Sequence, residues 1–362
     1  MTDTAEADKE YGKMMARIFN SKIADFAIST SIALVQKTPA VWRRIPPLYA
    51  DLVGDLPILQ DFDAPQLIDR IPDEDPGVER WYVASPAMRR VVEVQVIPAK
   101  DPDIPAPMLY LLDGVSAPAR SGWLREGQIQ DFVASNHVTV VLPTQAPGSL
   151  YEDWLRDDPK VGRHKWDTFL SSELLQVMED AAHGLNFNGR RVIGGLSMGA
   201  SGAVRIAAKH NETFHGVIGL SGCYSTTSIM GRGMTLAIIR SVDADPDNVW
   251  GPGITPAALA ADVAANPEGL RHMPIYLFAA NGRITEHDIN IHVGQPRHEL
   301  PGAVLLEKAS FKSTVELVRT MERMGMHHQV VHLQRGGVHA WAYYGEQLRK
   351  GWEAVYPAAV KR

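Results

Sequence analysis

The chain has 362 residues, 45% of them hydrophobic and 22% charged, with a net charge of −6. That is enough apolar chain for one large buried core, and a mildly acidic chain with no basic tract excludes a binder of nucleic-acid backbones. A single cysteine, Cys223, excludes an intrachain disulfide and a multi-cysteine metal site.

Residues 1–76 differ in texture from the rest. Met15, Phe19, Ile23 and Phe26 recur at helical spacing and predict an amphipathic helix. Prolines 39, 46, 47, 57, 65, 72 and 76 follow, and that density stops helices and favours extended chain. The acidic run Asp73-Glu74-Asp75 closes the stretch. The reading is an extension that packs on a main domain or covers its mouth. Its most apolar part, 23–35, contains Asp25 and lacks a small-residue cleavage site, so no signal peptide is evident. No apolar run is long enough to span a bilayer.

Residues 77–362 read as one α/β domain. β-branched and aliphatic runs recur at 91–97, 108–112, 138–142, 217–220, 275–279 and 329–333, separated by helix-like stretches. Such runs predict a mostly parallel central sheet flanked by helices. One flanking helix is expected over 166–183, with Phe169, Leu170, Leu174, Leu175 and Met178 on one face. Residues 225–270, rich in Gly, Pro, Asp and Ala, suit a loop-and-helix insertion over a site.

The chemistry centres on Gly195-Leu196-Ser197-Met198-Gly199. The run Arg191-Val192-Ile193-Gly194 precedes it and a small-residue helix pattern, 200–208, follows. Strand, G-x-S-x-G, helix is the context of a nucleophile elbow, in which a sharp turn lifts the serine hydroxyl clear of the backbone. A hydroxyl needs a base within reach and an acid to orient that base. After such an elbow the acid comes before the base in chain order. The acid is expected on the loop after the 275–279 strand, where Glu286 and Asp288 are both eligible. The base is expected after the 329–333 strand, and His339, beyond Gly336-Gly337, fits. His332 lies inside that strand, and His327-His328 precede it at the wrong end of a sheet for catalysis. Oxyanion donors are expected from the backbone N–H of Met198 and from the loop Leu112-Asp113-Gly114-Val115-Ser116, with the N–H of Val115 best placed. Cys223 reads as a small buried hydrophobe. No metal cluster or phosphate-binding glycine loop appears, so no cofactor is expected.

Several stretches together resemble mycolyltransferases of the antigen 85 type. These are Leu111-Leu112-Asp113-Gly114, Gly122-Trp123, Tyr151-Glu152-Asp153-Trp154, Lys165-Trp166-Asp167-Thr168-Phe169-Leu170 and Ser172-Glu173-Leu174. The order continues with Gly195-Leu196-Ser197-Met198, Leu220-Ser221-Gly222, Trp250-Gly251-Pro252, Asn281-Gly282 and His339-Ala340-Trp341-Ala342-Tyr343-Tyr344-Gly345. The chain is similar also to the wider esterase D group. The resemblance implies an α/β-hydrolase fold over 77–362 and ping-pong acyl transfer from trehalose mycolates to sugar or protein hydroxyl acceptors of the cell envelope, hence an exported protein. It implies Ser197 as nucleophile, His339 as base and Glu286 as acid, with Val115 and Met198 as oxyanion donors. Asp113 and Trp341 are implied to line the sugar and acyl pocket. Where the family carries an arginine after the Val115 position, this chain has Ser116, and Arg120 and Arg125 are the nearby replacements. A carboxylesterase with the same triad is the second reading. A catalytically silent envelope-binding protein is the third.

Overall fold

A computed structural model describes residues 2–21 and 46–361. Among the described residues, nine strands form a single sheet. They are β1 (Gln66–Pro72), β2 (Glu79–Ser85), β3 (Arg90–Ile97), β4 (Ala106–Leu112), β5 (Thr139–Pro143), β6 (Phe187–Leu196), β7 (Gly216–Leu220), β8 (Ile275–Ala280) and β9 (Val330–Gln334). Their spatial order is β1-β2-β3-β5-β4-β6-β7-β8-β9. The first three run antiparallel, β3 also pairs antiparallel with β5, and every pair from β5 across to β9 is parallel.

The principal helices are α1 (Thr2–Phe19), α2 (Met198–Lys209), α3 (Ile229–Ser241), α4 (Glu286–Ile291), α5 (Glu299–Arg323) and α6 (Trp341–Val360). The sheet has two apolar faces. On one, Met108, Tyr110, Ile193 and Val217 pack with Met198, Val204 and Leu317. On the other, Leu109, Leu111, Val192 and Ile218 pack with Tyr344, Leu348 and Trp352 of α6. Fully buried parallel strands need both faces covered, which is why β4, β5, β7 and β8 are buried along their whole length and read as continuous apolar runs.

The strands expected from 91–97 onward appear in place. β1 and β2 were not anticipated. β1 is an edge strand exposed along most of its length, its apolar residues broken by Asp69 and Arg70, and the apolar run of β2, Trp81 to Ala84, is only four residues long. The stretch before Gly77 thus contributes a strand to the central sheet as well as the predicted helix. Within α1, Met15 and Phe19 face the body of the protein, whereas Ile23 and Phe26 lie outside the described residues. The helix expected over 166–183 is a chain of shorter pieces, Trp166–Thr168, Phe169–Glu173 and Leu174–Met178, with a π-helical middle. All five of its predicted core residues are buried. The 225–270 region forms α3 and shorter helices, as its composition suggested.

Order reverses at β4. The chain leaves it for β5 on one side and returns to β6 on the other. In open α/β sheets the crevice at the carboxyl ends of two such strands is where ligands bind. The segments that follow β4 and β6 are those carrying Asp113 to Ser116 and Ser197.

Candidate active site

Ser197 stands between β6 and α2 with φ 54° and ψ −121°, a strained conformation for a residue with a side chain. Its N–H donates to Leu220 O at 2.8 Å and its carbonyl accepts from Ser201 N at 3.1 Å, so neighbouring strand and helix hold the strain. The flanking glycines have a steric reason. A Cβ on Gly199 would lie 2.3 Å from Leu112 O, and one on Gly195 would lie 2.6 Å from the Gly199 carbonyl carbon. The elbow therefore packs directly beneath the end of β4.

The loop after β4 sits beside the serine. A Cβ on Gly114 would lie 3.5 Å from Ser197 Cβ. Val115 and Ser116 are half-buried in a turn there, and Gly148 N donates to Val115 O at 3.0 Å. Met198 opens α2, where first-turn N–H groups lack intrahelical partners. Two backbone segments able to supply anion-stabilising N–H groups thus flank Ser197.

His339 and its carboxylate partner are fixed by three elements. His339 lies just before α6, and its Nδ1 is 2.7 Å from Glu307 Oε2. Glu307 is 1% exposed and its other oxygen accepts from Ser221 Oγ at 2.8 Å and Ala280 N at 2.6 Å. The carboxylate is thereby oriented by the ends of β7 and β8. With Nδ1–H donating to Glu307, the neutral imidazole keeps Nε2 as an acceptor. That Nε2 is buried and has no hydrogen-bond partner among the described residues.

The structure does not bring the acid expected from the sequence to His339. Glu286 is exposed at the start of α4, and the carboxylate against His339 belongs to Glu307 on α5. Asp288, the other eligible carboxylate, is buried, but it works as a brace. Its Oδ2 closes a capping box with Thr285, and its Oδ1 accepts from Tyr343 Oη at 2.7 Å and Val338 N at 3.3 Å. It ties α4 to the segment around His339. Glu307 sits inside a 25-residue helix, where no local motif sets it apart from other helix carboxylates. Two of the three competing histidines are occupied elsewhere: His332 Nδ1 meets Gln347 Oε1 at 2.9 Å, and His328 Nε2 meets Leu270 O at 3.0 Å.

Asp113 and Trp341 come together through Gly122. Asp113 Oδ1 accepts from Gly122 N at 3.1 Å, and a Cβ on Gly122 would lie 2.3 Å from the Trp341 ring. Trp341 also meets Trp123 edge-on, centroids 5.3 Å apart. Asp113 is buried, and its Oδ2 has no partner among the described residues. Burial pushes its carboxyl up to about 7. This folded-state value exceeds the roughly 3.9 of an unfolded chain, so the folded protein holds a proton that the unfolded chain releases. Stability from this group is full below the unfolded value and is lost as pH rises through the folded one. Asp113→Asn keeps the acceptor for Gly122 and cannot ionise. Its stability relative to the parent is expected to rise by about 1 kcal/mol between pH 6 and pH 8, read from denaturant unfolding at both. Of the nearby arginines, Arg120 is paired with Asp75 at 2.5 Å and Arg125 lies 3.7 Å from Glu126.

The Tyr-Glu-Asp-Trp and Lys-Trp-Asp-Thr stretches brace α2, the helix that follows Ser197. Glu152 forms a buried ion pair with Arg205 of α2 at 2.6 Å, and Asp167 binds Lys209 and, at 2.7 Å, His210 at the end of that helix. Asp153 holds the two stretches together through Thr168 N at 3.1 Å and Thr168 Oγ1 at 2.6 Å. Tyr151 Oη, in turn, accepts from Asp113 N at 3.0 Å. Cys223 is beside this site, its N–H donating to Ser201 Oγ at 2.8 Å, and burial pushes its thiol up to about 11, which keeps it protonated and unreactive near neutral pH.

The chain is similar to known proteins in sequence and in fold. The family model described as "Putative esterase" matches residues 85–354. The chain is 31% identical over 280 residues to the diacylglycerol acyltransferase/mycolyltransferase Ag85A of Mycobacterium leprae (strain TN), covering 75% of this chain and 80% of that protein. Against the Ag85B protein of Mycobacterium avium the identity is 28% over 280 residues, with 75% and 80% covered. The crystal structure of MPT51 (FbpC1) from Mycobacterium tuberculosis matches with a TM-score of 0.60 at 22% identity, covering 77% of this chain and 97% of that one. FphF, a fluorophosphonate-binding serine hydrolase of Staphylococcus aureus, matches with a TM-score of 0.54 at 15% identity, covering 78% and 98%. The solved structures speak for the fold and the curated relatives for the family. With a strained serine elbow at the switch point of a mostly parallel sheet, the chain is an α/β hydrolase and belongs to the antigen 85-like esterase family of serine hydrolases and acyltransferases.

Proposed function

We propose that this protein is a serine acyltransferase that moves mycolyl groups, long 2-alkyl 3-hydroxy acyl chains, from a trehalose ester to a hydroxyl acceptor. Trehalose, arabinogalactan and envelope proteins are the acceptors in view, and the protein acts outside the membrane. Residues 77–362 form the catalytic domain and 1–76 an extension upon it. The observation that carries the chemistry is the 2.7 Å hydrogen bond from His339 Nδ1 to Glu307 Oε2, which leaves Nε2 buried and unpartnered.

In this mechanism Ser197 Oγ attacks the ester carbonyl while its proton passes to His339 Nε2. Glu307 holds the ring in the tautomer that can accept it and stabilises the imidazolium. The N–H groups of Val115 and Met198 receive the oxyanion. The sugar alcohol leaves with the proton from His339, and Ser197 carries the acyl group. An acceptor hydroxyl then gives its proton to His339 and attacks, restoring the serine. Asp113, Ser116 and Trp341 line the donor pocket, where the free Oδ2 of Asp113 suits a sugar hydroxyl.

A second reading has support of its own. Ser116 stands where the resemblance places an arginine, and Arg120 is engaged by Asp75. Weaker sugar retention lets water compete as acceptor, which makes the protein a carboxylesterase. Incubation with trehalose monomycolate, with and without added trehalose, arabinan fragments or a hydroxyl-bearing peptide, separates the two by mass spectrometry. Transferred acyl product is expected to exceed free acid when an acceptor is present. Free acid alone under every condition assigns the protein to hydrolysis.

A further inference from the structure

The matched family region begins at residue 85, and α1 lies outside it. Yet α1 docks on the elements that carry the base and its carboxylate. Met15, Ala16 and Phe19 pack against a small apolar cluster that includes Ile284 and Ile289 from the α4 region, Val304 from α5, and Val338. Val338 immediately precedes His339, and Val304 is one helical turn before Glu307. The approach is close: a Cβ on Gly12 would lie 2.9 Å from the Ile289 side chain.

Polar contacts fix the register of that docking. The Asn20 side chain makes a reciprocal pair with the backbone of Ile284, Nδ2 donating to Ile284 O at 3.0 Å and Oδ1 accepting from Ile284 N at 2.9 Å. Lys308 Nζ donates to Phe19 O at 2.9 Å, a cation closing the carboxyl end of α1. Lys308 is the neighbour of Glu307 on α5, so the end of α1 grips the residue beside the one that orients His339. His339 is tethered on the same side, its N–H donating to Ala303 O at 3.2 Å.

We propose that α1 is a built-in positioning element, with Asn20 as the residue through which it holds the α4 segment and α5 so that Glu307 and His339 keep their alignment. The proposal rests on the reading of Glu307 and His339 as catalytic. Small displacements of a catalytic pair cost rate more than binding. Asn20 touches no reacting group, so it acts through Ile284 and α5.

The test uses the full chain carrying Asn20→Ala or Asn20→Asp. The aspartate keeps the acceptor for Ile284 N and loses the donor to Ile284 O. Asn20→Ala is expected to lower kcat on a short aryl ester about tenfold, with KM changed less than about twofold, and Asn20→Asp to fall between it and the parent. Hydrogen exchange is expected to speed up at the amides of 284–291 and 338–339 in Asn20→Ala, at temperatures well below its Tm. Unchanged kcat and unchanged exchange overturn the proposal, as does a matched fall in kcat and Tm with no faster exchange at these amides. If the parent protein turns over no ester and takes up no fluorophosphonate at Ser197, the catalytic reading fails instead. The exchange measurement still decides whether α1 holds these segments.

Discussion

Ser197→Ala is expected to lower kcat for ester cleavage by about four orders of magnitude or more and to abolish fluorophosphonate labelling. The reason is local. The elbow presents one hydroxyl, and the positive φ at Ser197 is held by backbone bonds to Leu220 and Ser201 that alanine retains. The variant therefore keeps its fold, and its melting temperature is expected to stay within a few degrees of the parent. Residual rate above water would come from the N–H groups of Val115 and Met198, which the substitution leaves in place. A variant that kept near-parental turnover with a pure substrate would remove Ser197 from the mechanism.

Glu307→Gln is expected to lower kcat by about three to four orders of magnitude, whereas Glu286→Gln is expected to leave it within about twofold. The contrast follows from hydrogen-bond direction. The glutamine carbonyl can still accept from Ala280 N and Ser221 Oγ, as Oε1 of Glu307 does. Its amide then faces His339 Nδ1 and can only donate there. The imidazole must accept at Nδ1 and carry its proton on Nε2, where it can no longer take one from serine. Glu286 faces solvent and has no such consequence. Steady-state kinetics on both variants, in parallel with Asp288→Asn to separate bracing from catalysis, decides the assignment. A large loss in Glu286→Gln with Glu307→Gln unaffected would restore the loop carboxylate.

Much of the fold was legible because burial leaves a local trace. A strand covered on both faces must be apolar throughout, and β4, β5, β7 and β8 announce themselves in that way. The elbow was legible for a steric reason: only glycine fits where Gly199 passes under Leu112 O. His339 was legible from its place after the last strand. Glu307 was not, because what sets it apart is its contacts with Ser221, Ala280 and His339, none of which is its sequence neighbour. Pro301 and Gly302 also blur the start of α5, so the helix that carries Glu307 gave a weak signal of its own. The motif stretches around Trp154 and Trp166 were visible as a pattern, but their work as a brace for α2 appears only when Glu152 meets Arg205 and Asp167 meets His210.

Because Glu307 rides on a long helix, its reach is a matter of phase. Each residue of an α-helix advances the chain by about 1.5 Å and turns it by about 100°. One residue inserted in α5 between Glu307 and Leu317 would swing that carboxylate away from His339 unless the helix behind it gave up its packing of Leu317 and Met321 against the core. The same insertion in residues 292–298, which precede the helix, would only lengthen a connection. Length variation among relatives should therefore collect in that connection and spare α5 between Glu307 and Leu317.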